Sequence, residues 1–181
     1  MTEPRDTRKR LFYALWPDAP VRDALHDLAR ECGEVCGGRV TARDNLHVTL
    51  AFLGPTTPAE YEAFLALGAA LRGETFELAL DTVGHWRHNR IVWAGASTLP
   101  PALRALAATL TQRLFDLRWR IDERPYTPHV TLVRDARRAP AARDVLLPPW
   151  RVRGFALVES VSTPGGVRYT PRAHWPLRHS G

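Results

Sequence analysis

The tetrapeptide His-Val-Thr-Leu occurs twice in this chain, as His47–Leu50 and as His129–Leu132. Both copies sit in sequence that favours extended backbone. Leu46 to Leu53 is apolar and β-branched up to Gly54, and Pro128 favours an extended entry into the second copy. Side chains alternate along a strand, so His47 and Thr49 point the same way, as do His129 and Thr131. Each copy thus offers an imidazole and a hydroxyl on one surface. Two such surfaces facing each other across a cleft hold two proton-transfer groups and two neutral hydrogen-bonding groups. That set can place a proton on one oxygen and remove one from another at a phosphate, without a metal.

Around these strands the chain punctuates itself clearly. Leu11 to Trp16 is expected as a strand, ended by Pro17. Asp18 is placed to cap a helix with Pro20 in its first turn and Val21, Leu25 and Leu28 along one face. Thr57-Pro58-Ala59-Glu60 is a capping-box pattern, and its helix is expected to turn Tyr61, Phe64, Leu65, Gly68 and Leu71 inward. Phe76–Val83 and Arg90–Ala94 are expected as strands, with a hairpin around His85 to Asn89. Pro100-Pro101 opens a third helix with Leu103, Leu106, Leu110, Leu114 and Leu117 as its apolar stripe. Val152 to Val161 follows as a strand, and Pro164-Gly165-Gly166 turns the chain back into Val167–Thr170. The class implied is α+β, with antiparallel sheets meeting at a central cleft.

Length and composition bound the rest. The 181 residues suit one domain, or two small lobes folded together, and residues 1–9 are expected to form a disordered polar tail ahead of a 10–181 bilobal unit. No apolar run approaches the roughly 20 residues of a membrane helix, and the polar start lacks a secretory apolar stretch, so a cytoplasmic monomer is expected. A net charge of +6 favours an anionic partner such as RNA, with Arg134, Arg137 and Arg138 concentrated just after the second motif. Cys32 and Cys36 are the only cysteines; near Gly33, Gly37 and Gly38 they suggest a fraying helix end and reduced thiols. They lack the ligand set of a zinc site, and no cofactor is called for.

Taken together, the two His-x-Thr-x segments resemble the signature of the two-histidine phosphoesterase superfamily. Arg10-Leu-Phe-Tyr-Ala-Leu-Trp-Pro17, Asn45-Leu-His-Val-Thr-Leu-Ala-Phe-Leu-Gly54, Tyr126-Thr-Pro-His-Val-Thr-Leu-Val-Arg134, and the closing Ser160, Tyr169 and Trp175-Pro176-Leu177 are similar to the RNA 2′,3′-cyclic phosphodiesterases, also called 2′,5′-RNA ligases. The resemblance implies a two-lobed fold with approximate twofold symmetry and outer helices. It implies metal-independent hydrolysis of RNA 2′,3′-cyclic phosphate ends to 2′-phosphomonoesters. His47 would be the acid that protonates the departing 3′-oxygen and His129 the base that activates water. Histidine suits both tasks because its ordinary pKa, about 6.5, lies near working pH. Thr49 and Thr131 would bind the non-bridging oxygens and Arg134 would meet the charge that builds there. Residues 131 and 134 differ in parity, so Arg134 joins that face only if its strand bends or bulges.

Microscopic reversibility adds 2′–5′ RNA joining as a side reaction. The alternatives are a phosphodiesterase for 2′,5′-linked oligonucleotides or small cyclic nucleotides, and a non-catalytic binder of RNA ends. A metal site finds no carboxylate inside either motif, Asp135 lying outside the second. Phe12, Tyr13, Trp86 and Tyr169 are candidates for stacking a base, and His85 and His88 for an exposed hairpin.

Overall fold

Local signals that need no distant partner appear where the sequence puts them. In the computed structural model, which describes residues 8–122 and 124–178, strand β1 (Lys9–Leu15) leads into helix α1 (Ala19–Cys36), whose first turn is capped by Asp18 accepting from the Val21 N–H at 3.2 Å. Val21, Leu25 and Leu28 are buried along its inner face. Lys9 therefore belongs to a strand, not to the polar tail; residues 1–7 lie outside the described residues. The expected fraying does not occur. Gly33 stays helical, and a Cβ there would stand 2.4 Å from Val40 Cγ2, so the glycine lets β2 (Arg39–Val40) close against the helix. Cys32 and Cys36 are buried free thiols.

A short 3-10 turn at Arg43–Asn45 precedes β3 (Val48–Thr56), which carries the first motif. Helix α2 (Pro58–Ala70) opens with the full capping box: Thr57 donates through N–H and hydroxyl to Glu60 Oε2 at 2.7 and 2.8 Å. Leu67 joins Phe64 and Gly68 inside, whereas Tyr61 and Leu65 are only half-buried. The expected strand from Phe76 to Val83 is two strands, β4 (Phe76–Leu78) and β5 (Thr82–Trp86). Asp81 divides them, its carboxylate accepting the Ser97 N–H at 2.8 Å and the Ser97 hydroxyl at 2.6 Å. β6 (Ile91–Gly95) completes the hairpin, and α3 (Pro101–Asp116) buries Leu103, Leu106, Leu110 and Leu114 but leaves Leu117 beyond its end and exposed. Then come β7 (His129–Arg134) with the second motif, β8 (Arg143–Asp144), β9 (Trp150–Val152), β10 (Gly154–Thr163) and β11 (Gly166–Pro176). No helix among the described residues is long and apolar enough to cross a membrane.

The class is α+β, and the strand pairing is antiparallel throughout the main sheet. Its order is β11-β10-β1-β3-β7-β6-β5-β8, with β2 added beside β7; β4 and β9 form a separate ribbon. The two motif strands are thus neighbours in one sheet rather than members of two sheets. They pair only at Val48↔Val130, which makes that pair a crease between two halves. Helix α1, though early in the chain, packs behind β7, α3 packs behind β3, and α2 packs behind β10 and β11. One cluster of buried side chains runs behind the whole sheet. A smaller one, Phe12, Ala14, Ala156 and Val158, lies on the opposite, front face of the first half.

Candidate active site

The crease fixes where the motif side chains point. Val48 and Val130 are opposite each other and fully buried on the helix side. Their neighbours along each strand must therefore face the front. Extending the register by one residue puts His47 across from Thr131 and Thr49 across from His129. The duplicated sequence becomes a twofold-related quartet on one open surface.

A bulge in each strand then brings a further side chain to that surface. On β7, Val92 pairs with Val133 but Trp93 pairs with Thr131, leaving Leu132 as an extra residue. Leu132 and Val133 are consequently both buried, and Arg134 returns to the front beside Thr131. This is the bulge that the parity of 131 and 134 required. On β3 the same slip occurs after Thr49, where Ala14 pairs with Thr49 but Tyr13 with Ala51. Phe52 is the side chain delivered there. It pairs with front-facing Phe12, lies 6.1 Å from that ring, and is 69% exposed. Phe52 and Arg134 are thus equivalent positions with opposite chemistry.

Both histidines are oriented the same way from behind. His47 Nδ1 lies 2.6 Å from the Asn45 carbonyl and His129 Nδ1 lies 2.9 Å from the Thr127 carbonyl. A carbonyl can only accept, so Nδ1 carries hydrogen and Nε2 is the working nitrogen in each. His47 Nε2 meets Thr49 Oγ1 at 3.1 Å. The surroundings differ. Trp16 stacks on His47 at 5.4 Å, with Phe12 at 4.9 Å and the edge-on Tyr169 at 5.0 Å. Asn45 secures that wall by donating to the Val167 carbonyl at 2.7 Å and accepting the Tyr169 N–H at 3.2 Å. Among the described residues, the one aromatic ring against His129 is Trp86, edge-on at 4.5 Å. Trp86 leans on Trp93, whose ring lies so close over Gly84 that a Cβ there would stand 2.2 Å from it. Across the crease, Tyr126 donates its hydroxyl to the Thr49 carbonyl at 3.2 Å.

Burial pushes the His47 pKa down to about 4, against the Asn45 carbonyl, with the charges of Arg134 and His129 adding to the fall. The His129 pKa is lowered for the same first reason, with Arg134 adding to it and the Thr127 carbonyl opposing. At neutral pH both rings are uncharged in the open cleft. Arg134 is half-buried and has no carboxylate partner among the described residues, because Asp135 turns to Arg39 and Arg90. An anion arriving beside Arg134 favours protonation of both imidazoles.

The other candidates separate by the alternation of their strands. Tyr13 faces the helices, donating its hydroxyl to the Phe64 carbonyl at 2.6 Å, and is core. Phe12, Tyr169 and Trp86 line the cleft through their ring contacts with the histidines. His88 is exposed in the turn, whereas His85 buries its Nε2. Among the described residues no three His, Cys, Asp or Glu side chains converge on a possible metal position. Phe52, Trp16 and Asn45 were not singled out from the sequence as site residues. Matched spacing after the two threonines is the signal that would have found Phe52.

The chain has close counterparts among known proteins. Residues 15–162 match the family model for the 2′-5′ RNA ligase superfamily. The RNA 2′,3′-cyclic phosphodiesterase of Escherichia coli K12 is 35% identical over 183 residues, covering 98% of this chain and 99% of that protein. The protein of the same name from Thermus thermophilus is also 35% identical, covering 93% and 90%. In structure, E. coli LigT in its apo form superposes with a TM-score of 0.81 at 35% identity, over 95% of this chain and 99% of that one. LigT complexed with 3′-AMP gives 0.82 and LigT complexed with ATP 0.79.

Proposed function

The chain belongs to the 2′-5′ RNA ligase superfamily, and from that membership we propose that its cleft opens RNA 2′,3′-cyclic phosphate ends to 2′-phosphomonoesters without a metal. One observation supports this above the others: His47, Thr49, His129, Thr131 and Arg134 share one face around the Val48–Val130 pair. The cyclic phosphate binds with its non-bridging oxygens on Thr49, Thr131 and Arg134. His129 Nε2 takes a proton from water as the water oxygen attacks phosphorus. His47 Nε2 gives a proton to the 3′-oxygen leaving on the opposite side. For that, His47 must be charged and His129 neutral. The bound phosphate favours the charged form of His47 by offsetting the burial and the Arg134 charge that keep it neutral in the open cleft. The aromatic wall of His47, with Phe52 at its rim, receives the nucleoside of the terminal nucleotide.

In this reading the chain from Lys9 onward works as one bilobal unit, a monomer in the cytoplasm. Two buried free thiols suit a reducing compartment. A second reading, hydrolysis of 2′,5′-linked or small cyclic nucleotides, is favoured by the structural likeness to LigT complexed with 3′-AMP and with ATP. The test is a short RNA ending in a 2′,3′-cyclic phosphate, incubated in EDTA, with the terminal phosphate identified. A 2′-phosphate product that is lost with His129→Ala is expected. A 3′-phosphate would overturn the acid and base assignment. Opening of a cyclic mononucleotide but not of the RNA would favour the second reading.

A further inference from the structure

Positive charge continues past the phosphate position, at the end of β7 away from His129. Val130 pairs with Val48 of β3 on one edge of β7 and with Ala94 of β6 on the other. Val133 pairs with Val40 of β2 and again with β6, at Val92. β2 and β3 therefore line the same edge of β7, and Arg39, opposite Arg134, stands beyond the His47 end of β3. Val40 packs against the core behind the sheet, so Arg39 faces the front with Arg134. Discounting the extra residue Leu132, Arg134 lies about two residue steps, roughly 7 Å, along β7 from Thr131, the residue across from His47. Like charges directly opposite repel, and Asp135 offsets them from the adjacent position. Its Oδ2 accepts from Arg39 at 3.1 Å and its Oδ1 from Arg90, at the end of the β5–β6 turn, at 3.2 Å. Arg90 and Asp135 both keep left-handed φ, 56° and 55°, which is uncommon without glycine. The Ala136 N–H ties the two segments together by donating to the Arg90 carbonyl at 3.0 Å. Three guanidiniums thus stand beside one carboxylate, and the Arg39 and Arg90 side chains remain 73% and 62% exposed.

The departing 3′-oxygen never leaves its sugar. In the reaction proposed above it stays on the terminal ribose, on the His47 side of phosphorus. The rest of the strand hangs from the 5′-oxygen of that same ribose. A cyclic mononucleotide ends there, whereas an RNA carries its next phosphate one nucleotide upstream. Resting on that function, we infer that Arg39 and Arg90, held by Asp135, bind the backbone phosphates of the strand that bears the cyclic end. Guanidinium forks suit phosphodiester oxygens, and exposed ones can turn toward a passing strand. Arg134 meets the reacting phosphate, and the arginine opposite it on β2 meets the next one. Contacts to backbone phosphates hold the strand without reading its sequence. The cluster therefore selects a polynucleotide over a mononucleotide, and leaves the choice of base to the aromatic wall.

The test compares hydrolysis of adenosine 2′,3′-cyclic phosphate with that of a short RNA ending in the same nucleotide, at low and at moderate salt. The wild-type protein should have the higher kcat/KM on the RNA, and only that advantage should fade as salt is added. The triple variant Arg39→Gln, Arg90→Gln, Asp135→Asn leaves no unpaired carboxylate beside Arg134. In it, kcat/KM on the RNA is expected to fall about tenfold and to lose roughly one unit of its log–log salt slope. The mononucleotide should be held within about twofold. Arg39→Gln alone, which keeps the Arg90–Asp135 pair, should give part of the same loss and guards against a fold disturbed by three changes. Equal losses on both substrates, with circular dichroism unchanged, would overturn the inference, because the cluster would then act only through Arg134. An unchanged rate on the RNA would overturn it as well, as would a wild-type protein that opens both substrates equally at every salt concentration. Failure to open either substrate would strike the proposed function instead.

Discussion

The two strands at the crease carry the same tetrapeptide, the same Nδ1-to-carbonyl bond two residues upstream and the same extra residue after the threonine, yet they end differently. β3 delivers Phe52, and β7 delivers Arg134. His47 lies among Trp16, Phe12 and Tyr169, while His129 meets the edge of Trp86. A cleft with identical halves would accept a phosphodiester equally well in either sense. The shared part supplies the chemistry, and the departures from symmetry supply its direction.

The strongest test of that contrast removes each histidine in turn. His47→Ala and His129→Ala are each expected to lower turnover of the cyclic phosphate by about 10²–10⁴-fold, with circular dichroism showing the fold retained. They should diverge on an aryl phosphodiester, whose leaving group needs no proton. His47→Ala should recover most of its rate there and His129→Ala should not. Equal losses on both substrates would remove any difference in role between the two halves.

Arg134→Gln comes next. Loss of a charged donor to the non-bridging oxygens should cost about 10²–10³ in kcat. Its second effect has a definite sign. The Arg134 charge lowers both histidine pKa values, so its removal lets both rise toward their ordinary value, about 6.5. The kcat/KM profile should therefore move to higher pH. A profile that stays in place while kcat falls would mean that Arg134 binds the phosphate without setting the protonation of the histidines.

Much of this was visible in the residues, and what was hidden depended on distant partners. The caps at Asp18 and Thr57 are local, and the structure has them where the sequence does. The break between β4 and β5 depends on Asp81 meeting Ser97, and α1 joins the far half by packing behind β7; neither leaves a local trace. Period-two alternation assigns His47, Thr49, His129 and Thr131 to one face but fails three residues on. The bulges reset parity, which reconciles Arg134 with the site and hides Phe52 inside what reads as an apolar run. The same alternation separates front-facing Phe12 from buried Tyr13, two neighbours that composition treats alike.

Phe52 carries the smallest expected effect and the finest distinction between the halves. Stacking of a base on an aromatic ring contributes about 1–3 kcal/mol, so Phe52→Ala should raise KM for a cyclic-phosphate RNA roughly five- to hundredfold. Because the ring carries no group that moves a proton or meets phosphate charge, kcat should change little, the reverse of the pattern expected for Arg134. The side chain is 69% exposed, so thermal stability should shift by less than about 0.5 kcal/mol, and Phe52→Trp should restore binding. Steady-state kinetics at several substrate concentrations separate the two parameters. A fall in kcat with KM unchanged would place Phe52 among the groups that act on phosphorus. The break in symmetry would then lie in Arg134.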